Sequence, residues 1–307
     1  MNTPAAPDES AFRRLGLIYG SSAYLLWGLL PLLFAAAAPT SALELVANRV
    51  IWALIFCAIL LVFARGFART WAIMRSGRTF WLLALAAVLI AINWTTFIYG
   101  IDTGHLVEIS LGYYLNPLIS IGLGVVFLGE RLRPLQWAAV GFGLVAVIIV
   151  GLGLGRVPYL AFSVALSFGF YGLVKNKVGG RIGALEGMTV ETAILAIPSL
   201  AYLGFLAAAG TQTFTGFGAL HVVIVLATGP ATAIPLILFG AAARRIPLSW
   251  IGMLQYIAPT LQFIIGITIL GESMSVTRWI GFLIIWIAVI LLCTDMIRQS
   301  RRPPTTG

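Results

Sequence analysis

Charge is scarce in this sequence. Only 9% of its 307 residues are Asp, Glu, Lys or Arg, against roughly a quarter in soluble domains, and that shortage excludes an ordinary water-soluble domain. There is no Walker loop, no HExxH, no DxD-type metal cluster and no Ser/His nucleophile pair. The two histidines, His105 and His221, fall near the ends of apolar runs. ATP-driven transport and membrane hydrolysis therefore lack their residues, and neither catalytic groups, a cofactor nor a metal is expected. Cysteine is scarce as well. Cys57 and Cys293 lie inside apolar runs without metal-ligand spacing and read as small packing residues.

What is abundant is apolar sequence: 60% of residues are hydrophobic, and the mean hydropathy is +1.02. Apolar runs of about 20 residues recur along the whole length, the signature of bilayer-spanning helices. Strands of a membrane barrel alternate in and out instead of running continuously apolar. The expected class is an all-α polytopic membrane protein with the lipid bilayer as its solvent. The net charge of +9 is spread between the runs rather than gathered into a patch, so no nucleic acid is expected as a partner. Arg13 and Arg14 before an apolar run imitate a signal peptide, but the run from Leu15 to Ala38 is longer than a signal core of about 7–15 residues. An uncleaved first helix is expected.

Ten spans are predicted, at 15–38, 44–64, 79–99, 105–128, 134–154, 157–176, 187–208, 219–241, 248–270 and 276–297. The loops are short, and even parity places both termini on one side. Alternate loops and ends hold Arg13, Arg14; Arg65, Arg69, Arg75, Arg78; Arg131, Arg133; Lys175, Lys177, Arg181; Arg244, Arg245; and Arg298, Arg301, Arg302, sixteen of nineteen basic residues. The other side has Arg156 and Arg278, while Arg49 lies within a span. Basic residues favour the cytoplasmic side, so the tails 1–14 and 298–307 are predicted to be cytoplasmic.

The stretch His105–Glu130 has a counterpart in Pro247–Glu272. Sliding the sequence by 142 positions superposes Ala42-Leu43-Glu44 on Ala184-Leu185-Glu186, Phe97 on Phe239, Tyr114 on Tyr256, Pro117 on Pro259, Leu128-Gly129-Glu130 on Leu270-Gly271-Glu272, and Trp137 on Trp279. Two repeats follow, 15–154 and 157–297, each of five helices. An odd number forces opposite orientations, the inverted-repeat pattern in which substrate binds near the midplane between the halves.

Polar groups at membrane depth face a cavity or one another. Glu108, Gly112, Asn116, Ser120 and Gly124 recur every four residues on the fourth span, forming one polar, small-residue face. Pro117 and Pro259 lack an N–H and leave the Tyr113 and Gln255 carbonyls without their helical partner. Each is either a break offered to a ligand or a kink that improves packing. Arg49 and Glu108 enter from the same side to similar depth and are expected to pair, as a structural pair or gate, or else with Glu108 handling protons. Glu191, offset mate of Arg49, is expected to meet Lys175, Lys177, Arg244 or Arg245. Trp27, Asn93, Trp94, Tyr113, Tyr114, Asn116, Tyr171, Gln255, Tyr256 and Gln262 are the substrate-cavity candidates. Pro31, Pro198, Pro230 and Pro235 mark further bends.

The chain resembles the drug/metabolite transporter superfamily, in its EamA-like branch and most closely the RarD-type permeases. Asn48-Arg49-Val50-Ile51-Trp52, Asn93-Trp94, Glu108-Ile109-Ser110-Leu111-Gly112-Tyr113-Tyr114-Leu115-Asn116-Pro117-Leu118, Phe127-Leu128-Gly129-Glu130-Arg131 and Gln136-Trp137 carry the likeness. The resemblance implies ten helices in two inverted repeats, a bacterial inner-membrane location and export-like movement of small organic solutes, with a family name tied to chloramphenicol sensitivity. Asn48 stands where many relatives carry histidine, and the second-half counterpart of Glu108 is Trp250.

The expected function is therefore secondary transport of a small metabolite or drug-like molecule through a cavity lined by the first, third, fourth, sixth, eighth and ninth spans. An ion gradient, a proton or exchange would drive it. A phosphate-bearing exchanger is the alternative within transport, and it calls for several basic residues at cavity depth. A scaffold or sensor that reuses the fold is the alternative outside transport. No motif specifies an oligomeric state.

Overall fold

A computed structural model describes residues 9–129, 131–178 and 182–300. Glu130, Arg181, Arg301, Arg302 and the outer parts of both tails lie outside the described residues. Among the described residues the chain is all-helical, without strands. Its helices are α1 (Glu9–Ala35), α2 (Ala42–Ala64), α3 (Phe67–Arg75), α4 (Gly77–Asp102), α5 (Leu106–Leu128), α6 (Pro134–Leu154), α7 (Tyr159–Val178), α8 (Ala184–Ala208), α9 (Gly218–Ala243), α10 (Leu248–Leu254), α11 (Ile257–Thr268) and α12 (Val276–Ser300). Local chemistry sets several ends. Ser41 caps α2 by accepting from the Glu44 N–H. Pro134 opens α6, where its missing N–H costs nothing.

Nine helices among the described residues are long and apolar enough to cross a membrane, with α10 and α11 counted together. They cover nine of the ten expected spans. The remaining one, 157–176, is α7, a 20-residue helix whose end carries Lys175 and Lys177. Large apolar side chains such as Phe63, Trp81, Val126, Leu152, Ile197 and Val276 are exposed on the outer surface. A belt of that kind aggregates in water and is at home in hydrocarbon. This is a multi-pass membrane protein.

Two local features depart from expectation. Helix α3 lies inside the basic segment read as a loop, and Phe67, Trp71 and Met74 on it are exposed. The break expected at Pro117 does not occur, because α5 runs through that residue as one helix. In the second copy the helix does stop, at Gln255 and Tyr256, just before Pro259. Both prolines remove one backbone bond. Beside the stop in the second copy a side chain competes for the ladder, with Gln255 Nε2 donating to the Gly252 carbonyl at 2.9 Å. The Tyr256 N–H turns to the Met253 carbonyl, three residues back.

Helices α6 and α12 pack together, as do α2 and α8, and α5 and α11. Helix α4 packs on α7, α1 on α9, α5 on α7, α1 on α11, α2 on α9 and α4 on α8. In lipid, where apolar burial drives little association, close backbone approach at small residues holds such contacts. A Cβ on Gly112 would sit 2.5 Å from the Ala161 carbonyl oxygen, and one on Gly229 2.5 Å from the Trp52 carbonyl carbon. Two main cores result. The first gathers Leu45, Val50, Phe97, Ile109, Val164 and Val225 from α2, α4, α5, α7 and α9. The second gathers Tyr114, Val150, Phe263, Phe282 and Ile285 from α5, α6, α11 and α12.

Candidate functional site

Arg49 lies seven residues into α2, about 10 Å along its axis, and is 3% exposed. Its Nε donates to Thr232 Oγ1 at 2.7 Å, and that hydroxyl donates to the Thr228 carbonyl at 2.7 Å, so both side chains are oriented. The guanidinium carbon lies 4.2 Å from the Trp94 ring centroid and 5.1 Å from that of Phe34. Nη1 is buried and has no hydrogen-bond partner.

The expected Arg49–Glu108 pair does not form. Glu108 turns instead to the α6–α7 junction, where Arg156 Nη2 donates to it at 2.7 Å, Arg156 Nη1 at 3.3 Å and the Leu160 N–H at 3.0 Å. Sequence places the two residues at one depth but does not set the azimuth of each helix. Glu108 faces the start of α7, and Arg49 faces α9.

Trp27, Trp52, Trp94, Tyr113 and Tyr171 pack against the first core as half-buried rings, and of these Trp94 lies on the Arg49 guanidinium. Asn93 donates to the Val164 carbonyl at 3.0 Å and to Ser167 Oγ at 3.2 Å, and accepts from the Tyr113 hydroxyl at 3.1 Å. It thus locks α4 to α7 and α5. Of the four basic residues considered for Glu191, Lys175 reaches it, donating at 2.6 Å, and the Tyr171 hydroxyl donates at 3.2 Å. Trp27 lies edge-on to Tyr24, their centroids 5.3 Å apart, and its carbonyl accepts from Gln262 Nε2 at 3.5 Å. Gln262 Oε1 is buried without a partner.

The other candidates sit elsewhere. Tyr114, 2% exposed, and Tyr256 belong to the second core, where their rings stack with centroids 6.2 Å apart at 22°. The Tyr114 and Thr260 hydroxyls bond at 2.8 Å. The buried Tyr256 hydroxyl and Asn116 Oδ1 have no partner. Gln255 is committed to its own turn. The single cavity set read from sequence is therefore divided between an aromatic group around Arg49 and a packed tyrosine pair.

Thr232, Arg156 and Glu272 contact the candidate residues or their helices without having been among the candidates read from sequence, and Trp52 entered there only as part of the Asn48–Trp52 string. Arg156 and Glu272 lie in loops, where charge is unremarkable. Glu272 accepts from the Leu106 N–H and, at 3.0 Å, from the Val107 N–H, so it caps the start of α5. Burial raises its carboxyl above the usual carboxylate value, against the pull of those two donors, Arg278 and His105. Further ion pairs join Arg133 to Asp295 and, at 3.8 Å, Arg69 to Glu186. Two open clefts of about 400 and 350 Å³ lie along α4. The first reaches Tyr159, Leu160 and Ser163 of α7, and the second Leu195 of α8. Among the described residues no three of His, Cys, Asp and Glu converge to hold a metal.

Comparison with known proteins bears on these groups. The model of the EamA-like transporter family matches residues 14–152. A protein named RarD from Streptomyces exfoliatus is 44% identical over 94% of this chain and 91% of its own. One of the same name from Escherichia coli K12 is 36% identical over 94% of this chain and 97% of its own. A chloramphenicol-sensitive protein RarD from Pseudomonas aeruginosa is 30% identical over 95% and 98%. A crystal structure at 19% identity superposes with a TM-score of 0.59 over 92% of this chain and 98% of its own, a likeness of fold.

Proposed function

This chain belongs to the EamA-like transporter family, in its RarD-type branch, and on that premise we propose that it is a secondary transporter. It moves small organic metabolites or drug-like solutes across the bacterial inner membrane by alternating access of two inverted repeats. The observation that carries this reading is the exchange symmetry of the packing. An offset of 142 residues turns α1 into α7, α2 into α8, α4 into α9, α5 into α10–α11 and α6 into α12. It converts the α4–α7 contact into α9–α1, α5–α7 into α11–α1 and α2–α9 into α8–α4, and returns α2–α8, α5–α11 and α6–α12 to themselves. The offset mates Tyr114 and Tyr256 stack on each other, as mates beside a two-fold axis do.

On this reading α7 is the tenth span, 15–154 and 157–297 are the repeats, and both termini are cytoplasmic. Glu108–Arg156 then closes the outer mouth, and Glu191 with Lys175 and Tyr171 the inner one. Arg49 stands between them among the aromatic rings. Arg49, Glu108 and Glu191 are the groups through which an ion gradient, a proton or exchange would act. The helical discontinuity before Pro259 gives the second half its bend, and Pro117 is its unbroken counterpart. One buried arginine suits a phosphate-bearing substrate poorly, since that needs several cations.

Counterflow in proteoliposomes tests the proposal. Saturable exchange of at least one solute from a broad panel is expected, lost when cysteines at positions 108 and 156 are cross-linked. Absence of counterflow for every solute, with no solute-dependent change in tryptophan fluorescence and a stoichiometric protein co-purifying, would replace transport by a scaffold role.

A further inference from the structure

The transport reading leaves open what chemistry the solute must present, and the surroundings of Arg49 answer part of that. A buried guanidinium costs several kcal/mol unless its charge and its N–H groups are matched. Here the matching is incomplete. Ring faces of Trp94 and Phe34 lie against the cation, and Nε is held by Thr232. Among the described residues no carboxylate pairs with it, since the acids at the two mouths are taken by Arg156 and Lys175. The Tyr113 hydroxyl is committed to Asn93. Nη1 is left as a buried donor with nothing to donate to.

A second donor points to the same conclusion independently. Trp52 Nε1 is also buried and unpartnered. It stands three residues after Arg49 on α2, a spacing that puts both on one face of the helix. An indole N–H and a guanidinium are donors only, so whatever completes them must accept. Trp52 is stacked on Phe214, centroids 5.9 Å apart at 30°, so the ring face is occupied while the indole N–H on its edge has no partner.

We propose that the Arg49 guanidinium and the Trp52 indole N–H together form the docking point for the carboxylate of a transported solute with an apolar, preferably aromatic, body. One unpaired cation matches one negative charge. Two donors match the two oxygens of a carboxylate, and the half-buried rings of Trp94 and Phe214 are the surfaces offered to the body. Thr232 is a positioning residue that holds the guanidinium plane. The inference rests on the transport reading and specifies its solute.

The test uses the purified full chain in nanodiscs, titrated with phenylacetate and phenylacetamide, 4-phenylbutyrate and 4-phenylbutyramide, and inorganic phosphate, and read by tryptophan fluorescence. At least one acid is expected to bind about tenfold to a hundredfold more tightly than its amide, the range of a charged hydrogen bond. Arg49→Gln should bring that ratio close to one. Arg49→Lys, which keeps the charge but not the planar fork, should leave part of it, and Trp52→Phe should reduce it several-fold. If Arg49→Gln does not purify as a monodisperse protein, the Arg49→Lys and Trp52→Phe ratios decide. Equal binding of acid and amide, a ratio untouched by these variants, or phosphate binding more tightly than every acid overturns the inference. Counterflow separates this failure from failure of transport. Acids carried equally by wild type and Arg49→Gln would sink the carboxylate site alone. No counterflow of any solute by wild type would sink the transport reading beneath it.

Discussion

Replacing Glu108 by glutamine asks how much the pair at the start of α7 contributes. The wild-type carboxylate, with no exposed side-chain surface, takes a 2.7 Å bond from Arg156 and a 3.0 Å bond from the Leu160 N–H. Glutamine keeps the shape and can still accept from Leu160. Its amide N–H₂ or its weaker carbonyl then meets the guanidinium, so the charge-assisted part is lost. A hydrogen bond to a charged group contributes about 1.5–3 kcal/mol. Arg156 is 32% exposed along its side chain and can turn to water, so the lower end applies, about 1–2 kcal/mol. Glu108→Ala should cost more, because it also leaves the Leu160 N–H unpaired. SDS titrated into dodecyl maltoside micelles, with unfolding followed by fluorescence, measures both. A cycle with Arg156→Gln should return a coupling of about 1 kcal/mol, whereas the cycle of Glu108→Gln with Arg49→Gln should be additive within about 0.5 kcal/mol. Coupling to Arg49 instead of Arg156 would refute the assignment of partners.

Gly229→Ala should destabilise by about 1–3 kcal/mol in the same assay, because its Cβ meets Trp52 backbone at 2.5 Å, while Gly122→Ala, with nothing within 4 Å, should not. At the other mouth, Lys175→Ala should be more damaging than Glu191→Gln, since Glu191 is 5% exposed and Lys175 29%. The lysine can extend to water, but the orphaned carboxylate cannot, so the double variant should recover part of the loss. For Glu272, a raised native pKa means that the stability it contributes is present below the ordinary value of 4.5 and is lost as pH rises through the raised one. The wild-type unfolding midpoint should fall across that window, and Glu272→Gln should flatten the fall.

Long apolar runs made most helices legible, because a bilayer leaves few alternatives to a helix of about 20 residues. Helix α3 escaped notice because its nine residues include Arg69 and Arg75, which read as a basic loop. Proline at offset-matched positions suggested two equal breaks, but the helix stops only in the second copy, where the Gln255 side chain reaches its own backbone. The candidate site was legible as residue types and not as neighbours. Aromatic and polar letters at span centres found Trp94, Tyr113 and Asn93. Whether Tyr114 looks into the same space as Trp27 depends on helix rotation, and neither period nor depth encodes that. The Thr232 hydroxyl was hidden for a similar reason: threonine is common in membrane helices, and only the approach of α2 to α9 makes this one a ligand of Arg49.

The stacked tyrosines carry one more consequence. When two inverted halves trade conformations, every off-axis contact is exchanged for its mirror counterpart, but a contact on the axis is exchanged for itself. On the alternating-access proposal, the Tyr114–Tyr256 ring contact would be kept whichever mouth is open and would act as a fulcrum. Trimming it should slow or speed travel in both directions alike, with no change in which side the protein prefers. Preference must come from contacts the axis does not duplicate: Glu108 is mirrored by Trp250, and Arg49 by Glu191. On that proposal the ring contact is common to both arms, while the Tyr114 hydroxyl bound to Thr260, the unpartnered Tyr256 hydroxyl and the charges on either arm are not.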